Sequence, residues 1–219
     1  MPRPMTITEK ILANSAGVPE VVPGQILNVK IGLAYTMDTL GKLVFDNLHK
    51  LGIDSVFDKD RVVIVFDHQA PAPNSKWADL HNIIRKEAKE FGVRLYDIGE
   101  NGMMHQMVVQ EGHLVPGIVA IGTDSHALTG GAVGAVTMGM GTTDAVIAMA
   151  TGELWLRVPE PVKVVLAGNF PTGVMARDVM SHLFRQKGWD GSEAKWTYRA
   201  VEFTGETVEK MNMEELATL

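Results

Sequence analysis

The chain has 219 residues, 46% of them hydrophobic, with 22 glycines and 10 prolines, enough for one large domain or one domain and part of a second. Its net charge of −6 leaves no basic footprint for nucleic acid. No apolar run approaches the ~20 residues of a membrane span, no secretion-signal core opens the chain, and no cysteine offers a disulfide, so a cytoplasmic protein is expected.

Thr6 and Glu9 have the spacing of a capping box, which predicts a short helix over 6–13. Pro19 to Gly24 reads as a turn and Gln25 to Ala34 as one strand. Asp38 opens a helix whose apolar face carries Leu40, Leu43, Val44, Leu48 and Leu51. Arg61 to Phe66 is the next strand, and Pro71 and Pro73 keep the segment after it irregular. Ser75 is expected to cap a long helix to Phe91, with Trp77, Leu80, Ile83, Ile84 and Ala88 inward, His81 on its surface and Gly92 just past its end. His49 is placed on the surface of the preceding helix, and Trp77 and Trp155 in the core.

Val93 to Ile98 alternates as a strand, Gly99 to His105 is a loop, and Gln106 to Gln110 is a short helix. Val115 to Gly122 is another strand. Gly130 to Gly141, dense in glycine and alanine, reads as a helix packed closely on the sheet; it contains neither a dinucleotide fingerprint nor a Walker lysine. Thr142 and Thr143 are expected to cap a helix over 144–154. Val162 to Gly168 and Ala200 to Gly205 read as strands, Thr172 to Arg185 as a helix with Asp178 on its polar side, and Val208 as the start of a helix running to Leu219. That last helix lacks a C-cap, so the sequence is expected to be a fragment of a longer protein.

Two of the apolar, β-branched strands stop abruptly at an acid and a histidine: Asp67-His68 and Asp124-Ser125-His126. Such runs fit buried strands of a mainly parallel sheet in a three-layer α/β/α fold. Ligands bind at the carboxyl ends of strands in open sheets of this kind. His105 lies between the two pairs in sequence, and Asp67, His105 and Asp124 are expected to converge at one edge of the sheet. Asp67, His68, His105, Asp124 and His126 are therefore the candidate catalytic residues. Acid–imidazole pairs suit general acid–base chemistry. Two rivals stand beside that reading: a mononuclear metal hydrolase using His68, His105, Asp124 and His126, and a non-catalytic fragment that binds a partner chain.

Gly122-Thr123-Asp124-Ser125-His126 with Gly130-Gly131-Ala132-Val133-Gly134-Ala135 resembles the Asp-Ser-His signature of the aconitase superfamily. Phe66-Asp67-His68-Gln69, Gly102-Met103-Met104-His105-Gln106 and Gly141-Thr142-Thr143-Asp144 resemble its other motifs in order. Leu154-Trp155-Leu156-Arg157-Val158-Pro159-Glu160 is similar to the large subunits of its 3-isopropylmalate dehydratase and homoaconitase branch. The resemblance implies an aconitase-like N-terminal region over 1–219 and a hydro-lyase that moves a hydroxyl between neighbouring carbons of a small di- or tricarboxylic acid. It implies a [4Fe-4S] cluster in the complete enzyme as Lewis acid. The chain has no cysteine, so the cluster ligands are expected outside it, no metal is expected on this chain, and the isolated chain is expected to be inactive.

By the same resemblance, Asp67 and His68 match the pair that protonates the departing hydroxyl, and His105 and Asp124 match a second pair. Ser125 matches a serine that binds a substrate carboxylate, His126 a histidine near the cluster, and Asp38 a substrate-binding aspartate. Met37 stands where Gln or His is common, and Ala127-Leu128-Thr129 departs from the usual Thr-Cys-Thr or Thr-Pro-Asn. These departures hint at a less polar substrate, 3-isopropylmalate or a similar branched malate, with homoaconitase, aconitase or dimethylmaleate hydratase activity as alternatives. A small subunit carrying a swivelling domain and the catalytic base is the implied partner.

Overall fold

The structure, a computed structural model, describes residues 3–100, 102–186 and 196–219. Helix α1 (Ile7–Ala16) begins at Thr6, whose side chain accepts the Glu9 N–H while Glu9 accepts the Thr6 N–H, the capping box that the spacing predicts. Glu9 is buried and its carboxylate also takes the Arg3 guanidinium at 2.8 Å, which ties the N-terminal arm to the helix.

The single strand expected from Gln25 to Ala34 is two strands in two sheets. β1 (Ile26–Lys30) and β2 (Leu33–Met37) are separated by Ile31 and Gly32. The Ile31 N–H goes to Gly152 and the next one, Gly32, to Val119, so the chain changes partner within one residue. A Cβ at Gly32 would lie 2.8 Å from the Ile118 Cβ, and only glycine lets the two backbones come this close.

β2 runs into α2 (Asp38–Lys50), then β3 (Val62–Val65), α3 (Ser75–Phe91), β4 (Arg94–Tyr96), α4 (Met104–Gln110) and β5 (Val119–Gly122). The cap of α3 is Asn74 rather than Ser75: its side chain accepts the Trp77 N–H. Gly92 ends that helix at φ 70°. Leu43, Leu51 and Ile83 lie outward, and Gly41, Phe45 and His81 take their places in the buried faces.

Gly130 to Gly141 is not one helix. A 3-10 helix (Ser125–Val133) leads into β6 (Val136–Gly139). α5 (Thr142–Thr151) starts at Gly141 with no side-chain cap, so neither threonine plays the expected part. It stops at Gly152 (φ 72°), and Leu154 belongs to β7 (Glu153–Arg157). Trp155 sits on the outer face of β7 and is 64% exposed, not a core anchor.

The rest comprises β8 (Glu160–Val165), α6 (Ala176–Arg185), β9 (Arg199–Thr204), α7 (Glu206–Glu209) and α8 (Met213–Thr218). The helix expected from Val208 to Leu219 is thus two short ones, the second capped by Asn212 with Glu215.

Five strands form an all-parallel sheet in the order β4-β3-β2-β5-β6. β1 and β7 form an antiparallel ribbon, and β8 and β9 a parallel pair. Alternate residues of the central strands enter two cores, as the period of two in a strand requires. Ala34, Ile64, Val119 and Ile121 pack with α1, α2, α3 and α5. Leu33, Tyr35, Val63, Val65 and Ala120 pack with Met104, Met107 and Val108 of α4 and with Ala127. The result is the expected three-layer α/β/α arrangement around a parallel sheet. Among the described residues, no helix is long and apolar enough to cross a membrane.

Candidate active site

The segments after β2, β3 and β5 leave three neighbouring parallel strands on the same side. Asp67 follows β3 with its side chain 10% exposed, and each oxygen has a use. Oδ1 accepts the His68 Nδ1–H at 2.7 Å. Oδ2 accepts the Met104 N–H at 2.8 Å, one of the first-turn donors that a helix leaves without an internal partner. The same carboxylate therefore orients His68 and docks α4.

α4 carries His105, which is in this helix and not in the preceding loop. His105 is 7% exposed, and its Nε2–H donates to Asp124 Oδ1 at 2.8 Å. Asp124 Oδ1 also accepts the His126 N–H at 2.7 Å and so caps the 3-10 helix after β5. Asp124 Oδ2 lies 3.5 Å from His68 Nε2. The two acid–histidine pairs thus meet, in the order Asp67–His68–Asp124–His105. His126 is at the rim, its side chain 83% exposed, and the exposed Ser125 precedes it.

Burial by itself would lower the His68 pKa, but the hydrogen bond and charge of Asp67 and the charges of Asp124 and Asp38 outweigh it and raise the pKa. Burial would likewise raise the Asp124 carboxyl, but the His126 N–H and His105 hold it below its ordinary value. The pair favours a protonated imidazole beside an ionised carboxylate.

Asp38, expected at the substrate, is fully buried at the start of α2. Its carboxylate accepts the backbone N–H groups of Thr39, His68 and Gln69 and lies beneath the loop after β3. Met37 and Ala127 are core residues packed with α4, and of the variant positions Leu128 is the apolar one at the surface, 65% exposed. Met37 and Ala127 therefore carry no information about substrate polarity.

Five participants are not apparent from the sequence. The Tyr35 hydroxyl is 3.5 Å from His105 Nδ1, and burial followed by the Asp124 charge pushes its pKa far up, so it stays a neutral donor. Thr36 and Thr123 join the ends of β2 and β5 by a 2.9 Å hydrogen bond. A Cβ at Gly139 would lie 2.6 Å from the Asp124 carbonyl oxygen, so β6 holds the Asp124 turn only because residue 139 has no side chain. His81, placed on a helix surface by its polarity, is 1% exposed.

His105, Asp124 and His126 bring possible metal-ligand atoms within 4.8 Å of one another, as do Asp38, Asp67 and His68. All three carboxylates also accept backbone N–H groups, which fix their orientation.

The sequence profile of the aconitase family (aconitate hydratase) matches residues 36–219. The chain is similar to the 3-isopropylmalate dehydratase large subunit of Aquifex aeolicus, 42% identical over 215 residues, which cover 98% of this chain and 49% of that protein. It is 43% identical over 211 residues to the 3-isopropylmalate dehydratase large subunit of Moorella thermoacetica, covering 96% of this chain and 49% of that one. With the probable 3-isopropylmalate dehydratase large subunit of Methanothermobacter thermautotrophicus it shares 41% over 216 residues, 98% of this chain and 50% of that protein. The chain spans about half the length of these curated relatives. The profile covers β3, β5 and every acid and histidine that meets at their ends, and the chain belongs to the aconitase family.

Proposed function

We propose that these 219 residues are the N-terminal part of a hydro-lyase whose substrate is 3-isopropylmalate or a closely related branched malate. The observation that carries the reading is His68, held by Asp67 at Nδ1 with its protonated form favoured, and with Nε2 toward Asp124 at the strand ends. Dehydration breaks a C–O bond and removes a proton from the neighbouring carbon. The departing hydroxyl needs a proton to leave as water, and His68 supplies it from Nε2. Asp67 keeps the ring oriented and charged before transfer. Asp124 and His105 fix the opposite wall, with Ser125 and His126 at the rim for a substrate carboxylate. The names of the similar large subunits support both the reaction and the substrate.

The family's [4Fe-4S] cluster needs cysteine thiolates, and these residues include none, so they do not fit as its ligands. The steps above belong to side chains of this chain alone. The cluster ligands, the base and a small subunit with a swivelling domain lie outside it in this reading, in a cytoplasmic enzyme.

The test is steady-state kinetics of the complete, cluster-loaded enzyme with its small subunit on 3-isopropylmalate, homocitrate, citrate and dimethylmalate. The highest kcat/KM is expected for 3-isopropylmalate. Absence of turnover on all four acids overturns the reading.

A further inference from the structure

Asp38 is an acid in the interior, 0% exposed. A buried carboxylate is costly unless its lone pairs are taken. Here they are: Oδ1 accepts the N–H of Thr39 at 2.9 Å and of His68 at 3.3 Å, and Oδ2 accepts the N–H of Gln69 at 2.7 Å. The two long-range partners are consecutive backbone donors in the loop that presents the His68 imidazole. On the other side stands His81 of α3, 1% exposed, whose Nε2 is 3.4 Å from Asp38 Oδ2 but outside hydrogen-bond geometry. The His81 ring stacks on Phe66, centroids 4.3 Å apart and planes 23° from parallel. Phe66 immediately precedes Asp67, so His81 touches both the carboxylate and the strand end that it serves.

We propose that Asp38 is a positioning residue for His68 and that His81 supports it, neither of them touching substrate. The carboxylate grips two successive N–H groups and thereby sets how far the imidazole reaches over the strand ends. An asparagine of the same shape would serve one of these donors and oppose the other with its own N–H₂. The proposal rests on His68 being the acid, as under Proposed function. Displacement of a reacting group by about 1 Å costs about 100-fold in rate.

The experiment is steady-state kinetics of the complete enzyme carrying Asp38→Asn or His81→Gln, with backbone amide exchange at residues 68 and 69. For Asp38→Asn, kcat on 3-isopropylmalate is expected to fall about 10–100-fold while KM stays within about threefold. His81→Gln is expected to act in the same direction but less, and to speed exchange at 68 and 69 while that of Val63 in β3 is unchanged. If Asp38→Asn does not fold, His81→Gln and its exchange pattern decide. A rise in KM with kcat retained makes Asp38 a substrate contact and overturns the proposal, as do His81→Gln kinetics and exchange equal to those of the unmodified enzyme. A His68→Ala enzyme with near-normal kcat overturns both this proposal and the acid assignment. A disabled His68→Ala beside an unaffected Asp38→Asn overturns the positioning alone.

Discussion

Replacement of His68 by alanine is expected to lower kcat of the complete enzyme on 3-isopropylmalate by about 10²–10⁴-fold, with a much smaller change in KM. The asymmetry follows from when the residue acts. A proton given to a departing hydroxyl stabilises the transition state, whereas the ground-state complex is held by contacts to the carboxylates. The pH dependence carries the same signature. The acid form of His68 exists below its pKa, and Asp67 and Asp124 raise that pKa against the opposing effect of burial. kcat should therefore be sustained at low pH and fall as pH rises through the raised value. Asp67→Asn removes the 2.7 Å charged partner, so the alkaline fall should move to lower pH. Steady-state profiles for the three enzymes test this. A His68→Ala enzyme with near-normal kcat removes the residue from the acid role.

Asp124→Ala is expected to combine a loss of stability with a loss of rate. Asp124 accepts from His105 and from the His126 N–H, and its side chain is 13% exposed. A hydrogen bond to a charged group is worth about 1.5–3 kcal/mol and a helix cap about 1 kcal/mol, so a loss of about 2.5–4 kcal/mol is expected. His105 then loses its fixed orientation, and kcat should fall about 100-fold. The sign with pH is set by the lowered Asp124 carboxyl: its stabilisation is present above the unfolded-state value and fades as pH falls through the folded-state value. The difference in stability between the wild type and Asp124→Ala should therefore be large at neutral pH and shrink in acid. His126→Ala is the control: its ring is 83% exposed and 3.8 Å from Asp124 Oδ1, and its hydrogen bond to Asp124 comes from the backbone N–H, which alanine keeps. Equal denaturation midpoints for Asp124→Ala and His126→Ala would sink the idea of Asp124 as the hub.

The acid–histidine pairs are legible in the sequence because a buried parallel strand is a short apolar run whose end is marked by the first polar residues. The α1 capping box and the glycine that ends α3 are equally local. What escapes depends on partners distant in the chain. Gln25 to Ala34 is one extended run by pattern, and partners distant in the chain, Gly152 for Ile31 and Val119 for Gly32, divide it between two sheets. β6 is short and enclosed by glycines, so its pattern reads as close packing. Gly152 is a legible helix stop, and the alternation of Glu153 to Arg157, outward and inward by turns, is a strand pattern that a longer helix obscured. His81 lies at helical spacing from Ile84 and Ala88, the buried face of α3, yet its polarity argues for the surface. Asp38 is legible as an acid near the site. Whether it faces a ligand or the back of a loop is decided by tertiary geometry alone.

The order of strands has a consequence for how the chain acquires its chemistry. β2 lies at the centre, with Met37 beside Val65 of β3 and Tyr35 beside Gly122 of β5. Asp67 and His68 stand on one wing and Asp124 on the other, and His105 rides on α4 in the crossover between them. A half-assembled sheet therefore carries half a constellation: β2–β3–β4 alone has the His68 imidazole with Asp67 and the buried Asp38 but no opposing wall. Closing the second wing requires the pairing of β2 with β5, such as Leu33 with Ala120, which are far apart in the chain and carry a correspondingly large loop-closure cost. The acid–histidine constellation is complete only when β5 is paired with β2. A core substitution that loosens β5 from β2 silences the chemistry without altering a single acid or histidine.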